Sequence, residues 1–444
     1  MSPNRSSRAA WLLVVLVASG CTATGPATSP TPTSGSSVAP SPESPSPAPS
    51  GPGSAAAALA KLCGHRRPPA PAAVPVEGKV PPAVADVEQA VEQMRGLTFT
   101  QPVVPDAVSH AGLVAGLQES FDSSYPKAIY ERKSLAWQTI GVIPPGTSIR
   151  GSLEGFLSSQ VIGYYDVESG KLVFIGTPDP SPFERDTLAH ELTHAIDDQH
   201  FGLERLDQLS AKCQDEESAA ALATVEGNAT YFQLQYIRRF LSVEEQLRFV
   251  QEASSQVAST AGIAPFIVQT QEWSYTQGLA FITARFADGG LKAIDGALTN
   301  FPVSTEQIIH PERYPNDVPT PVDVPDLSSR LGPGWEDLDV ETVGEAWLSI
   351  AFGLRLSSSD AASAAAGWDG GIYRAWSDGD HRAVVMSTVW DTPGDAAEFA
   401  ATMGRWIAAG DGRSAQVLPA DGASVRVLFA SDAQTLASLE AAAA

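Results

Sequence analysis

Residues 187–200, TLAHELTHAIDDQH, hold three of the seven histidines in the chain. Ser181 and Glu184 stand before them at the spacing of a capping box, so the sequence predicts a helix that begins near residue 182. His190 and His194 are four residues apart and therefore lie on one face of that helix, where both imidazoles can reach the same ion. The segment thus predicts a helix that carries two histidine ligands of a metal site, and the rest of the fold has to supply the remaining ligand.

The pattern His190-Glu191-x-x-His194 is the H-E-x-x-H arrangement of zinc metallopeptidases. Neutral imidazoles bind Zn²⁺ and leave a coordination position for water, whose pKa the ion lowers towards about 7. Glu191 lies about 100° further round the helix than His190, where it can reach that water and act as the general base. We expect one Zn²⁺ per chain and Glu191 as a catalytic residue. The alternative is an amphipathic helix with histidines on the protein surface.

The sequence offers two candidates for the third metal ligand. His200 stands where the metzincin pattern H-E-x-x-H-x-x-G-x-x-H has its third histidine, but Asp197 occupies the place of the glycine that ends the metzincin helix. Glu226 lies in a second helical pattern, ESAAALATVEGNATYFQLQY (217–236), whose small residues allow a close approach to the first helix. A metal partner would explain a buried glutamate, which is otherwise costly. Alternatively, Glu226 faces solvent.

HELTHAIDDQH followed by VEGNATY resembles the gluzincin-type peptidases of the MA clan. The chain is similar to a group of exported actinobacterial metallopeptidase-like lipoproteins, with which it also shares GYYDVESGKLVFIG, STEQIIHPERYP, AAGWDGG and VWDTPGDAAEF. The resemblance implies an endopeptidase that acts on a peptide or protein substrate. It also implies His190, His194 and Glu226 as zinc ligands and Glu191 as the general base.

Further groups are expected near the metal. Thr230 stands where thermolysin-like members have an aspartate that orients a ligand histidine, so we expect Asp197 or Asp198 to take that role. His310 and Tyr314, in STEQIIHPERY, are candidates for stabilising the negative charge that develops on a substrate carbonyl oxygen. The alternative for His310 is a structural role at a helix end.

The segment VIGYYDVESGKLVFIG (161–176) contains two β-rich runs separated by Glu168-Ser169-Gly170 and predicts a β-hairpin. In the gluzincins, the strand before the metal helix lies over the metal, and the substrate pairs with it as an antiparallel strand. The resemblance therefore implies that Tyr164, Tyr165 or Phe174 lines a substrate-binding cleft. The alternative is a plain sheet edge.

The first twenty residues predict an export signal. Arg5 and Arg8 precede AAWLLVVLVA (9–18), an apolar run too short to span a bilayer as a mature helix. Ala18-Ser19-Gly20-Cys21 resembles the lipobox of bacterial lipoproteins, with Ala18 in place of the usual leucine. The resemblance implies removal of residues 1–20 and lipidation of Cys21. We therefore expect a protein that a lipid anchors to the extracytoplasmic face of the cell membrane, or a secreted protein if lipidation fails.

Residues 21–54 consist almost wholly of Pro, Ser, Thr, Gly and Ala after Cys21, and this composition predicts a disordered tether. Cys63 and Cys213 are the only other cysteines in the chain. In an oxidising compartment we expect these two to form a disulfide. The alternative is a pair of buried free thiols.

The remaining patterns predict an α+β fold in two parts. Residues 55–330 are expected to form a predominantly helical zincin-like metallopeptidase domain with a small hairpin or sheet, and residues 331–444 a C-terminal α+β module with a tryptophan-rich core. The net charge of −23, without basic clusters, excludes a nucleic-acid partner. The oligomeric state stays open. So does a non-catalytic surface lipoprotein that keeps the fold as a binding or scaffold module.

Overall fold

The computed structural model describes residues 53–64, 79–116, 126–160, 162–167, 169–175, 179–255, 260–410 and 414–444. The predicted signal segment, Cys21 and the tether up to residue 52 lie outside these residues. None of the helices in the described ranges combines the length and the hydropathy needed to cross a membrane.

Helices dominate the part of the chain that precedes residue 331. They are α1 (Ala55–Leu62), α2 (Pro82–Arg95), α3 (110–116), α4 (Lys127–Ile140), α5 (Ile149–Gln160), α6 (Pro182–Phe201), α7 (Arg205–Ala211), α8 (Asp215–Phe240), α9 (Val243–Ser255), α10 (Pro265–Thr299), α11 (Thr305–Ile309) and α12 (Ser328–Leu331). The C-terminal part adds α13 (Glu345–Gly353), α14 (Ser358–Ala365), α15 (Pro393–Ala408) and α16 (Ala433–Ala443).

The strands form two separate sheets, and the predicted α+β class is confirmed. The first sheet has the order β1-β3-β2, in which β1 (Pro105–Ala107) is parallel and β2 (Gly163–Asp166) antiparallel to β3 (Lys171–Phe174). The second sheet is antiparallel, with the order β4-β5-β6-β8-β7. Its strands are β4 (Glu336–Thr342), β5 (Trp368–Ser377), β6 (Arg382–Trp390), β7 (Ser414–Val417) and β8 (Ser424–Ala430).

Two glycines bring α8 and α10 together at the centre of the helical part. A side chain at Gly227 would collide with the backbone of Gly278, and one at Gly278 would collide with the backbone of Ala223. Glycine at both positions therefore allows the two backbones to touch. Since Gly227 directly follows Glu226, this crossing also fixes the level along α8 from which the Glu226 side chain projects.

Residues from both predicted parts share one hydrophobic core. Trp137 of α4 and Phe266 of α10 pack in the same buried cluster as Trp347 of α13 and Trp390 of β6. The four tryptophans 368, 376, 390 and 406 are each at most 2% exposed, so the prediction that they lie in the core is confirmed. The C-terminal part therefore packs against α4 and the start of α10 in the helical part.

Cys63 and Cys213 form a disulfide, with their Cα atoms 6.1 Å apart. The predicted pairing is thus confirmed. The bond joins the residue after α1 to the segment that leads into α8, across 150 positions of sequence. A crosslink over so long a loop lowers the entropy of the unfolded chain. It therefore typically stabilises the folded protein by about 2–5 kcal/mol.

Candidate metal centre

The helix α6 begins and ends as its sequence predicts. The Ser181 hydroxyl accepts a hydrogen bond from the Glu184 amide, and the Glu184 carboxylate accepts one from the Ser181 amide at 2.7 Å. The helix ends at Gly202, which has a left-handed φ of 67° that favours glycine. Between these ends, His190 and His194 are fully buried. The alternative of surface histidines is therefore wrong.

Glu226 of α8 meets both histidines. Its Oε2 lies 3.2 Å from Nε2 of His190 and 3.5 Å from Nε2 of His194. One ligand atom from each of the three residues lies within 4.8 Å of the other two, and all three residues are buried. In the described ranges, this is the one group of three or more His, Cys, Asp or Glu side chains that could hold a metal ion.

Several nitrogen and oxygen atoms of this cluster and of the neighbouring Glu191 have no hydrogen-bond partner in the described part of the chain. They are both ring nitrogens of His194, Oε1 of Glu226 and Oε1 of Glu191. Unpaired polar atoms in a protein interior are costly and rare, so such a concentration needs a ligand to explain it. Two imidazole nitrogens and one carboxylate oxygen form a donor set that suits Zn²⁺ and leaves a position for substrate or water.

The charges within the cluster agree with this fit. Burial alone would raise the pKa of Glu226, but the positive charge of a protonated His194, together with the hydrogen bond and charge of a protonated His190, outweighs burial and lowers it. Burial likewise opposes protonation of His190, while Glu226 and Glu191 raise its pKa. The carboxylate thus stays ionised and favours a positive charge between the two rings.

Glu191 is held by the main chain of the edge strand β2. Its Oε2 accepts a hydrogen bond of 2.8 Å from the Tyr165 amide, and burial raises its pKa. The Glu191 carboxylate therefore lies between the metal-binding face of α6 and β2, an edge strand of the first sheet. This position, beside the ligand cluster, suits a general base.

Two residues that the sequence analysis missed orient His190. Nδ1 of His190 lies 3.2 Å from Oε1 of Gln233, and Nε2 of Gln233 donates to Oδ2 of Asp186 at 2.6 Å. Since the Gln233 carbonyl can only accept, Nδ1 of His190 carries the proton and Nε2 is left to bind a cation. Burial raises the pKa of Asp186 to about 7. Helical spacing could have indicated both residues, because Gln233 follows Glu226 by two turns and Asp186 precedes His190 by one.

Asp197 and Asp198 do not take the role predicted for them. Asp197 accepts hydrogen bonds from Arg95 at 2.8 Å and from Asn228 at 2.5 Å. Asp198 accepts from the Leu203 amide and from the Tyr165 hydroxyl. Neither forms a hydrogen bond with a histidine of the cluster, because the buried Arg95 and the turn after α6 already engage them.

Tyr275 of α10 is a further group of the site that the sequence analysis missed. Its ring stacks on His190, with the ring centroids 6.2 Å apart. Burial, the charges of Glu226 and Glu191 and a hydrogen bond to Glu226 hold the pKa of the Tyr275 hydroxyl well above its usual range. No motif surrounds Tyr275, so only the packing of α10 on α8 shows its place in the site.

The tyrosines predicted to line the cleft contribute differently. The predicted hairpin is confirmed as β2 and β3. The side chains of Tyr164, Tyr165 and Phe174 are at least nine-tenths buried and pack in hydrophobic clusters. The backbones of these residues pair within the sheet and their side chains pack in the hydrophobic core. Tyr165 therefore contacts the site through its backbone amide.

Three other predicted groups lie in contacts outside the cluster. His200 binds the Thr98 carbonyl at 2.8 Å, because α6 continues through Asp197. His310 caps α11 and pairs with Glu345 at 3.1 Å. The Tyr314 hydroxyl donates to the Asn300 carbonyl at 2.7 Å. The structure thus favours Glu226 over His200 as the third ligand, and it joins neither His310 nor Tyr314 to the cluster by a hydrogen bond.

Comparisons with known proteins give little to set beside this geometry. A family described as a domain of unknown function, DUF8575, matches residues 330–442, a range that overlaps the predicted C-terminal module. No curated protein matches the chain. A crystal structure from Chloroflexus aurantiacus, described as a candidate hydrolase with a novel fold, is similar over 58% of this chain and 95% of that one. Its sequence identity is 18% and its TM-score 0.36, too low to support an argument about function.

Proposed function

We propose that this chain is a hydrolase, specifically a zinc-dependent peptidase of the gluzincin type that cuts peptide bonds in a peptide or protein substrate. The observation that carries the proposal is the buried convergence of His190, His194 and Glu226, whose open donor atoms lie beside Glu191. A binding module has no evident use for an unpaired carboxylate next to an unpaired ligand set.

The three ligands supply a site for one Zn²⁺. When bound, the ion would supply Lewis acidity, which acidifies water and polarises a carbonyl group. Within the chain, Gln233 and Asp186 hold His190 with Nε2 free. The Glu226 carboxylate supplies negative charge that favours the cation.

Glu191 acts on the reacting proton. The Tyr165 amide holds Oε2, so Oε1 is the oxygen that accepts a proton from the attacking water and passes it to the leaving amine. Water adds to the carbonyl carbon and the C–N bond breaks, which yields a carboxylic acid and an amine that then ionise to a carboxylate and an ammonium group. Burial raises the pKa of Glu191 and strengthens it as a base.

Tyr275 takes the role that the sequence analysis gave to His310 or Tyr314. Its hydroxyl lies at the Glu226 carboxylate, and its raised pKa keeps the phenol protonated. It can therefore donate a hydrogen bond to the oxygen on which negative charge develops in the transition state.

The proposal includes a location outside the cytoplasm, with lipid on Cys21 as the membrane anchor. The Cys63–Cys213 disulfide supports an oxidising compartment. Metabolic labelling with a fatty acid, compared between the full chain and Cys21→Ala, tests the anchor. Label that persists in Cys21→Ala would exclude it.

Substitution of the general base tests the activity. Full-length Glu191→Gln should retain about one zinc per chain by elemental analysis and lose about 10²–10⁴-fold in the rate of cleavage of a peptide library. Glu244→Gln, on the exposed face of α9, serves as the matched control and should cleave like the parent protein. Unchanged cleavage by Glu191→Gln would overturn the mechanism. Zinc binding without cleavage of any peptide by the parent protein would favour the binding or scaffold module.

A further inference from the structure

A cavity of about 210 Å³ opens between α8, α10 and α13. Its walls include the indole rings of Trp137, Trp273 and Trp347. Three acidic residues, Asp215, Glu216 and Glu341, also line it. The mechanism proposed above uses none of these six residues.

The cavity lies beside the candidate metal centre along α8. Asp215, Ala219, Leu222 and Glu226 follow one another along α8 at spacings of four, three and four residues, so they share one face of the helix. The first three line the cavity and the fourth is the proposed zinc ligand. Leu222 is thus one turn, about 6 Å of helix rise, from Glu226.

The second wall shows the same continuity. Gln271 and Ser274 of α10 line the cavity, and Tyr275, which contacts Glu226, lies one turn beyond Gln271. A peptide whose scissile bond lies at the metal centre can therefore place a neighbouring side chain between α8 and α10. This geometry makes the cavity a candidate specificity pocket.

Acidic groups outnumber basic ones around the cavity. Lys133 bridges Asp215 at 3.1 Å and Glu341 at 3.0 Å. Asp339 lies behind this group and accepts a hydrogen bond from Tyr373. Burial raises the pKa of Asp215 to about 7, with further contributions from the charges of Glu341 and Asp339.

Glu216 adds a fourth acid to this region, and it is buried, with 5% exposure. Its Oε1 accepts hydrogen bonds from the Thr305 amide and hydroxyl at 2.5 and 2.7 Å. Burial raises its pKa to about 8, and the hydrogen bonds that it accepts from Thr305 come from neutral groups. One lysine therefore faces four acids, of which Glu216, Asp339 and Glu341 are buried, and a cation that enters the cavity would favour their ionised forms.

We infer that the cavity accepts the basic side chain, lysine or arginine, of the peptide that the proposed peptidase cleaves. The alkyl stem of such a side chain packs on the tryptophan walls, and a cation near an indole face gains a cation–π interaction. Its charged head then meets the carboxylates. The net charge of −23 also favours approach of a basic peptide. This inference rests on the proposed function, because it names a substrate class for the same site.

Cleavage of matched peptides tests the inference. Full-length protein should cleave peptides that have lysine at the residue whose side chain enters the cavity about 10–100-fold faster than peptides with norleucine there. Norleucine has a similar alkyl chain and no charge. Glu216→Gln keeps an oxygen for Thr305 but cannot ionise beside a bound cation, so it should reduce that preference about tenfold or more. Glu217→Gln, on the same turn of α8 but outside the cavity lining, should leave it unchanged. Equal cleavage of both peptides, or a preference that Glu216→Gln does not alter, would overturn the inference.

A binding measurement separates this inference from the proposed function. Tryptophan fluorescence of the zinc-free full chain should respond to n-butylammonium at lower concentration than to n-butanol, and Glu216→Gln should remove the difference. Selective butylammonium binding by a protein that cleaves no peptide would contradict the proposed peptidase activity and support the cation-binding pocket. Cleavage with no such selectivity would do the reverse.

Discussion

His190 and His310 each meet a buried glutamate at almost the same distance, yet their surroundings differ. Nε2 of His190 lies 3.2 Å from Glu226, and Nε2 of His310 lies 3.1 Å from Glu345. Beside Glu226 is a second histidine, His194, whose ring nitrogens have no hydrogen-bond partner in the described residues. The contact between a histidine and a glutamate therefore does not by itself distinguish a metal centre.

A permanent cation marks the second cluster. Arg313 lies within 2.9 Å of Glu306, Asp317 and Asp391, next to the pair formed by His310 and Glu345. In the described ranges, Glu226 forms ion pairs with the two histidines and none with a lysine or arginine. The comparison teaches that a metal centre keeps donor atoms and negative charge open, whereas a structural cluster has its own cation.

Removal of Glu226 should give the largest effect on this contrast. Glu226→Ala takes away one of three ligands, so zinc affinity should fall by roughly 10³-fold or more. His310→Ala and His200→Ala are the matched controls and should bind about one zinc per chain. Competitive titration with a chromophoric chelator measures all three. If His200→Ala lost zinc and Glu226→Ala kept it, the third ligand proposed above would be wrong.

Substitution of Arg313 should break the other cluster. Arg313→Met leaves Glu306, which is 1% exposed, near acidic neighbours without their cation. Because Arg313 itself is partly exposed, we expect a loss of about 2–3 kcal/mol in the free energy of unfolding by urea. Zinc affinity should change less than about twofold, since the cluster serves structure. Arg238→Met, at an exposed position of α8, controls for loss of an arginine. A large fall in zinc affinity for Arg313→Met would mean that the two clusters are coupled.

A milder substitution sharpens the contrast at His190. Gln233→Ala removes the carbonyl that holds Nδ1 of His190, so zinc affinity should fall about 10–100-fold. Gln235→Ala on the same helix should have no effect. Nitrogen NMR of the zinc-free protein supplies a second readout, because the proton on Nδ1 of His190 should become less favoured. An unchanged tautomer together with unchanged affinity would remove Gln233 from the site.

The pH dependence of stability should show the smallest effect. Burial raises the pKa of Glu306 to about 8, above its ordinary value in an unfolded chain. The folded state therefore holds a proton that the unfolded state loses near pH 4.5. The resulting stabilisation is complete below that pH and is lost as the pH rises towards 8, which we expect to cost about 1–2 kcal/mol between pH 5 and pH 8. Glu306→Gln should make this slope shallower in urea titrations. The remainder belongs to Asp186, Asp215 and Glu216, whose pKa values burial also raises. A slope as steep in Glu306→Gln as in the parent protein would remove Glu306 from the explanation.

The sequence predicted the parts of the site that obey helical periodicity. The capping box at Ser181, the shared face of His190 and His194 and the small residues before Glu226 are local signals, and the structure follows them. The α+β class and the disulfide were also predictable, because strand-like texture and cysteine count do not depend on tertiary detail.

The sequence did not indicate the groups whose place in the site depends on tertiary packing. Tyr275 reaches the site because Gly278 lets α10 touch α8, and no spacing within α10 indicates this contact. His310 lies near proline in a motif-like segment, but its partner Glu345 comes from α13 in the C-terminal part. The predicted division at residue 330 likewise could not reveal a core that both parts share.

The hydrogen bond from the Tyr165 amide to Glu191 has an evolutionary consequence. Nineteen of the twenty standard amino acids supply the same amide, and only proline lacks it. Position 165 can therefore vary in side chain without disturbing the support of the carboxylate, provided that the hydrophobic core tolerates the change. A search for distant relatives that demands a particular residue there would discard chains whose backbone preserves the contact.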